Sequence, residues 1–189
     1  MNKKTDRRTL YTQSVIKESF IKLLHKKHIG KITVTEICKL AEINRATFYI
    51  HYHDPYDLME KLEAEQAAKL VDALSELLHD DAINTNIFDL PRHIRSTIQA
   101  DAVTALLYSH PSGGNMQKHL FDGLAAILEP KFMSWFGFTK HEARAVFTFT
   151  FSGYYAVDRY LHNSGPTPAE TENIMGIIAK MVSVGLGRA

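Results

Sequence analysis

An all-α fold follows from three features of the sequence. Apolar residues recur at three- and four-residue spacing along most of the chain. Thr33 with Glu36, and Thr139 with Glu142, have the spacing of a capping box. In that motif the threonine hydroxyl accepts from the third helical N–H and the glutamate reaches back to the cap's own N–H. No stretch alternates convincingly with period two; Phe147-Thr-Phe-Thr-Phe151 does so for five residues, but inside a segment that opens on the Thr139 cap. The expectation is about nine helices, arranged as a small N-terminal headpiece of three and a larger helical body.

Met1 to Arg8 is polar, has no apolar run of the kind a signal peptide needs, and reads as a flexible arm bearing Lys3, Lys4, Arg7 and Arg8. Val15, Ile16, Ser19, Phe20, Leu23 and Leu24 predict a first helix from about Thr9 to His28, with Gly30 as its C-cap. Thr33 opens a short second helix at Val34, with Ile37 and Leu40 on its inner face. The period breaks at Glu42-Ile43-Asn44, and Asn44 is an N-cap for a third helix that starts at Arg45 and buries Phe48 and Tyr52. Cys38 is small where the two short helices cross. Helices this short are marginal alone, so both must lean on the first. A sharp corner before the last of three helices is the helix-turn-helix arrangement, whose second helix enters the major groove of DNA.

Beyond Asp54 a long helix is expected from Pro55 to about His79, with Leu58, Leu62, Leu70, Leu74, Leu77 and Leu78 buried. Asp80 to Asn86 reads as a loop. Helical spacing returns from about Leu90 to Tyr108 as two helices, breaks at residues 110–114, and resumes from Asn115 to Trp135, ended by Gly137. The Thr139 capping box opens a helix reaching about Asn163. After the break at residues 164–168 the last helix spans about Ala169 to Val184.

The run Ile32-Thr-Val-Thr-Glu-Ile-Cys-Lys-Leu-Ala-Glu-Ile-Asn-Arg-Ala-Thr-Phe-Tyr-Ile-His-Tyr52, with Asp57-Leu58 after it, resembles the N-terminal domain of the tetracycline-repressor (TetR) family of transcription regulators. The resemblance covers roughly residues 9 to 60, and its Thr-Phe-Tyr-x-His-Tyr core is specific. It implies a helix-turn-helix DNA-binding domain at residues 1–54 and a helical effector-binding and dimerisation domain at residues 55–189. The chain departs at Glu42, where many members have glycine, so that a glutamate must take a left-handed conformation. It departs again at Pro55, where many carry a lysine for a phosphate contact; proline itself suits a first helical turn.

Charge is divided along the chain. Residues 1–53 hold 11 Lys or Arg against four Asp or Glu, while residues 54–189 hold 11 against 17, so the overall +1 hides a basic front and an acidic rear. Only the front suits a polyanion. One cysteine excludes an internal disulfide, and no cysteine pattern for zinc is present. Ten histidines include the close pairs His25/His28 and His51/His53, which read as solvated surface and not as metal ligands. No Gly-rich phosphate loop, Gly-x-Ser-x-Gly elbow or His-Glu-x-x-His motif is found, so neither catalysis, a metal nor a cofactor is expected. The expected location is cytoplasmic, without a membrane.

The expected function is that of a ligand-responsive transcription regulator, a repressor rather than an activator, bound as a homodimer to a palindromic double-stranded operator. Arg45, Ala46, Thr47 and Ile50 are expected at base edges, with Arg45 to guanine. Thr35, Tyr49 and His51 are expected at phosphates, and Thr33 and Asn44 border the same surface. The nearly all-apolar segment from Ala143 to Leu161 and the final helix predict a four-helix dimer interface. Phe149, Gly153, Val157, Ile174, Ile177, Ile178, Met181 and Gly185 are its candidates, with Gly153, Gly176 and Gly185 permitting close helix approach. An effector pocket for a small apolar or aromatic molecule, implied by the resemblance, falls among Tyr108, Met116, His119, Leu120, Phe132, Trp135, Phe147, Phe151, Tyr154 and Tyr155. Two rivals are a regulator-like protein that acts by protein contact without specific DNA binding, and an enzyme on an all-helical fold.

Overall fold

The computed structural model describes residues 3–78, 89–110 and 115–186. The loop expected at residues 80–86 and residues 111–114 of the second break lie outside the described residues, as does the side chain of Leu77. Among the described residues there are nine α-helices and one 3-10 turn: α1 Lys3–Leu24, the turn Ile29–Lys31, α2 Val34–Leu40, α3 Arg45–His51, α4 Pro55–Leu78, α5 Leu90–Ala100, α6 Ala102–Ser109, α7 Asn115–Phe136, α8 Lys140–Ser164 and α9 Pro168–Gly185.

The first helix differs from expectation at both ends. Residues expected as a flexible arm are helical from Lys3, because nothing between Lys3 and Arg8 breaks a helix. At the other end α1 stops at Leu24, four residues early. Gly30 is not its cap but sits inside the 3-10 turn, donating its N–H to Nδ1 of His28 at 3.2 Å. Leu40 is 46% exposed, and Cys38 takes the inward place beside Ile37. A residue at the last turn of a seven-residue helix lies beyond the crossing that buries its middle.

The corner is built as its residues require. The Thr33 hydroxyl accepts from Glu36 N–H at 3.3 Å, and the Glu36 carboxylate accepts from Thr33 N–H at 3.0 Å. Lys27 reaches the same carboxylate at 2.5 Å; this hydrogen bond, with those from Thr33, lowers the Glu36 pKa to about 2. Glu42 adopts φ 54°, the left-handed turn that lets Ile43 N–H bond back to Cys38 O at 3.0 Å. Asn44 Oδ1 then accepts from Thr47 N–H at 2.7 Å and starts α3. Asp54 caps α4 through Tyr56 and Asp57 N–H groups at 2.7 and 2.9 Å, and Pro55 fits the first turn.

Two cores share α4. Ile16, Phe20, Ile29, Ile37, Phe48, Tyr52, Leu58 and Leu62 close the first, which also takes in Leu107 from α6. Leu70, Leu74 and Leu78 continue along α4 into the second, against Leu120, Leu124, Leu128 and Phe132 of α7 and Phe147 of α8. The 24-residue α4 is therefore a single rigid strut between them. An ion pair between Lys17 and Glu65 fastens α1 to it, and Gln66 receives the Thr104 hydroxyl of α6 at 3.3 Å. The α4–α7 contact is close because Gly123 has no side chain; a Cβ there would lie 2.7 Å from Cγ2 of Val71.

Candidate nucleic-acid interface and the cavity behind it

Helix α3 divides into two faces. Phe48 is fully buried and Tyr52 nearly so, which clamps the helix onto the first core. The opposite face carries Arg45, Ala46, Tyr49 and Ile50 into solvent, with Thr47 and His51 at its margins. Ile50 is 77% exposed, an apolar side chain on a well-anchored helix with nothing among the described residues to cover it. Arg45 donates from Nη2 to the Tyr49 hydroxyl at 3.1 Å and lies 5.8 Å from the centre of that ring. The guanidinium is thus held over its own helix, one turn from Ile50, with donors left for a partner. Thr35 is exposed at the start of α2. Thr33 and Asn44 use their side-chain oxygens as caps, so their part at this surface is to aim the two helix starts. The carbonyl of His51 is held by Lys61 at 3.2 Å, and Lys61 also bonds Asp57 at 2.9 Å, placing an α4 ammonium beside the end of α3.

Behind this headpiece lies a cavity of about 90 Å³, walled by α5, α6, α7, α8 and α9. Seven of the residues expected there line it: Tyr108, Leu120, Phe132, Phe147, Phe151, Tyr154 and Tyr155. Met116, His119 and Trp135 do not. Met116 is fully buried elsewhere, His119 buries an unpartnered Nε2, and Trp135 packs under Lys131, whose Nζ is 5.2 Å from the ring centre. Met116 continues the row Leu120, Leu124, Leu128 and Phe132 one turn before the part that faces the cavity and Trp135 lies past its other end, while His119 falls on another side of α7.

Sequence reasoning missed the α5 and α9 walls. Leu90, Ile94 and Ile98 repeat every four residues along α5, a signal that was present; Met175 and Val182 on α9, with Leu186 as its C-cap, lie next to the residues expected as a dimer stripe, and only packing separates the two sets. The two ionised groups on the lining, Arg95 and Asp158, form an ion pair with each other. Burial, and next the neighbouring Asp158, push the Tyr108 hydroxyl far above its ordinary pKa; burial raises Tyr154 to about 12.

The rear of the molecule leaves apolar side chains uncovered. Phe149 of α8 is 78% exposed and Met181 of α9 is 69% exposed, with Ile177 and Val184 beside it. Val157, Ile174 and Ile178 are half-buried. Gly153 and Gly185 face open space. Gly176 differs from the expectation of close helix approach: a Cβ there would meet Arg92 Nη2 of the same chain at 3.1 Å. Arg92 also ion-pairs with Asp89 at 2.6 Å and Glu172 at 3.0 Å, tying α5 to α9. Among the described residues no three His, Cys, Asp or Glu side chains gather as a metal site, and no helix is long and apolar enough to cross a membrane.

No family model matches the chain. Over 74 residues it is 31% identical to an uncharacterised HTH-type transcriptional regulator, YxbF, of Bacillus subtilis (strain 168); the match covers 39% of this chain and only a fifth of that protein's length. Solved structures share the fold across almost the whole chain. The fatty acid degradation regulator FadR from Bacillus halodurans superposes with a TM-score of 0.69 at 15% identity, over 94% of this chain and 97% of that one. FadR from Bacillus subtilis, solved in complex with stearoyl-CoA, gives 0.63 at 14% identity over 89% and 96%. A putative TetR-family transcriptional regulator from Syntrophomonas wolfei gives 0.59 at 15% identity over 96% of both. At these identities the likeness is one of fold.

Proposed function

We propose that this chain, which has the all-helical fold of TetR-family regulators, is a DNA-binding transcription regulator, a repressor that a small organic effector releases from its operator. The observation that carries this reading is the outward face of α3. A rigid, capped helix presents Arg45, Ala46, Tyr49 and the 77% exposed Ile50 to solvent, and among the described residues the side chains of Arg45 and Tyr49 bond only each other. An arginine suits the O6 and N7 acceptors of guanine, and exposed apolar groups suit thymine methyls. Thr35, Tyr49 and His51 are read as phosphate contacts, and the basic front supplies counterion release.

Residues 1–54 serve as the DNA-binding unit and residues 55–189 as the effector and dimer unit. Two copies joined through the exposed faces of α8 and α9 would present two α3 helices to one side of a duplex, which matches a palindrome with half-sites about 34 Å apart. The effector cavity connects to the headpiece through α6, where Leu107 is part of the first core and the next residue, Tyr108, lines the cavity. An effector regulates only if it favours one arrangement of that link over the other. A regulator of this kind works in the cytoplasm and needs no catalysis.

The test is selection of genomic fragments by the full chain, followed by fluorescence anisotropy on the enriched palindrome. Arg45→Ala is expected to weaken the enriched site by about 1–3 kcal/mol and to relax preference at one base position. Equal loss on random DNA contradicts base reading, and a wild-type chain that binds the palindrome no better than random duplex rejects the function in favour of action by protein contact.

A further inference from the structure

We propose that the cavity takes a compact, uncharged ring compound bearing one hydrogen-bond-accepting oxygen, such as a single-ring ketone or ester, in place of an anion or a long acyl chain. This rests on the effector reading and names the class of molecule involved.

Size sets the first limit. Pockets for drug-sized ligands run to roughly 300–1,000 Å³, and an apolar cavity of roughly 150 Å³ admits benzene. The cavity here is about 90 Å³. One ring enters if the walls give modestly, and the flexible Met175 on α9 is suited to giving. The same opening makes the ligand prefer a widened body, which is what regulation needs.

Charge sets the second. Arg95 is the cation on the lining, and Asp158 already holds it, with the Tyr108 hydroxyl beside that carboxylate. Asp158 already neutralises this guanidinium, so an anionic ligand would set a second negative charge beside one largely buried cation, and that extra charge would have no partner of its own, which is strongly unfavourable. Polarity sets the third. The Thr150 hydroxyl is spent on the carbonyls of Val146 and Phe147, at 2.8 and 3.1 Å. Of the buried side-chain atoms without a partner among the described residues, only the Tyr154 hydroxyl belongs to this lining. It is protonated, since burial raises it to about 12, and so offers a donor to a ligand oxygen.

Calorimetric titration of the full chain with acetophenone, ethylbenzene, benzoate and stearoyl-CoA tests this. Acetophenone is expected to bind about tenfold more tightly than ethylbenzene, which lacks the oxygen, and at least about a hundredfold more tightly than benzoate, with no uptake of stearoyl-CoA. Tyr154→Phe should abolish the tenfold difference while leaving ethylbenzene unchanged, and Asp158→Asn, by freeing Arg95, should admit benzoate. Preference of the wild type for benzoate or stearoyl-CoA overturns the ligand class while keeping the cavity as an effector site. An unchanged acetophenone-to-ethylbenzene ratio in Tyr154→Phe overturns the role of that hydroxyl and with it the proposal. Uptake of none of the four overturns the class and the effector reading together.

Discussion

Glu42 sits at φ 54°, where a side chain with a Cβ is disfavoured and glycine is not. Its conformation is imposed by the corner, which Ile43 N–H closes on Cys38 O. Glu42→Gly is therefore expected to stabilise the chain by roughly 0.5–1 kcal/mol, the relief of strain exceeding the added freedom of the unfolded state; urea denaturation measures it, and a destabilised variant would contradict the strain. Glu63 is 2% exposed, and its Oε1 has no hydrogen-bond partner. Burial, and next the Glu60 carboxylate, raise its pKa from 4.5 to about 7. The folded state thus keeps a proton that the unfolded state releases between these values. Stability attached to this group is complete below about pH 4.5, declines as pH rises, and is lost above 7. Glu63→Gln should be near neutral at pH 4.5 and more stable than wild type by roughly 2–4 kcal/mol at pH 8. A gain that does not change with pH would contradict the assignment.

At the scale of elements, caps account for most boundaries. Thr33 and Thr139 mark their helices in the sequence, and Thr167 with Glu170 repeats the box at the start of α9. That third box was legible but lay behind Pro168, which drew the break instead. Gly137 and Gly165, at φ 70° and 62°, follow α7 and α8 in the left-handed region. The length of α1 was not legible, because the polar residues before Thr9 show no apolar period and yet contain nothing that stops a helix. The closeness of α4 and α7 was not legible either, since one glycine does not say which helix it faces. Gly123→Ala should cost about 1–3 kcal/mol through overpacking against Val71, a stiff β-branched neighbour. Thermal unfolding reads this, and Val71→Ala in the same chain should recover part of the loss.

The whole molecule poses a question of covering. Phe149 on α8 and Ile177, Met181 and Val184 on α9 are large apolar side chains exposed on two consecutive helices, the kind of surface that another molecule covers. In the proposed function, association of two copies through α8 and α9 would bring two α3 helices into one particle. Phe149→Glu with Met181→Glu should yield a folded monomer by sedimentation, with affinity for a palindrome reduced about a hundredfold or more through lost bivalency. A dimer that persists in this variant places the interface elsewhere. Within one copy, α4 and α6 are the connections between cavity and headpiece: α4 contributes to both cores, and Leu107 and Tyr108, neighbours on one short helix, go one to the first core and one to the cavity.

Local chemistry was enough to place most of the helices, the caps at Thr33, Asn44 and Thr139, the corner at Glu42 and the outward face of α3. Each depends on residues within a few positions of one another, so their spacing carries the information. Packing alone decided which aromatic residues meet around the cavity, that Arg95 finds Asp158 from 63 positions away, and that Gly176 accommodates an arginine of its own chain. A helix shows in its sequence how many sides are apolar, but the choice among core, cavity and partner for each side is made by what the other helices leave uncovered.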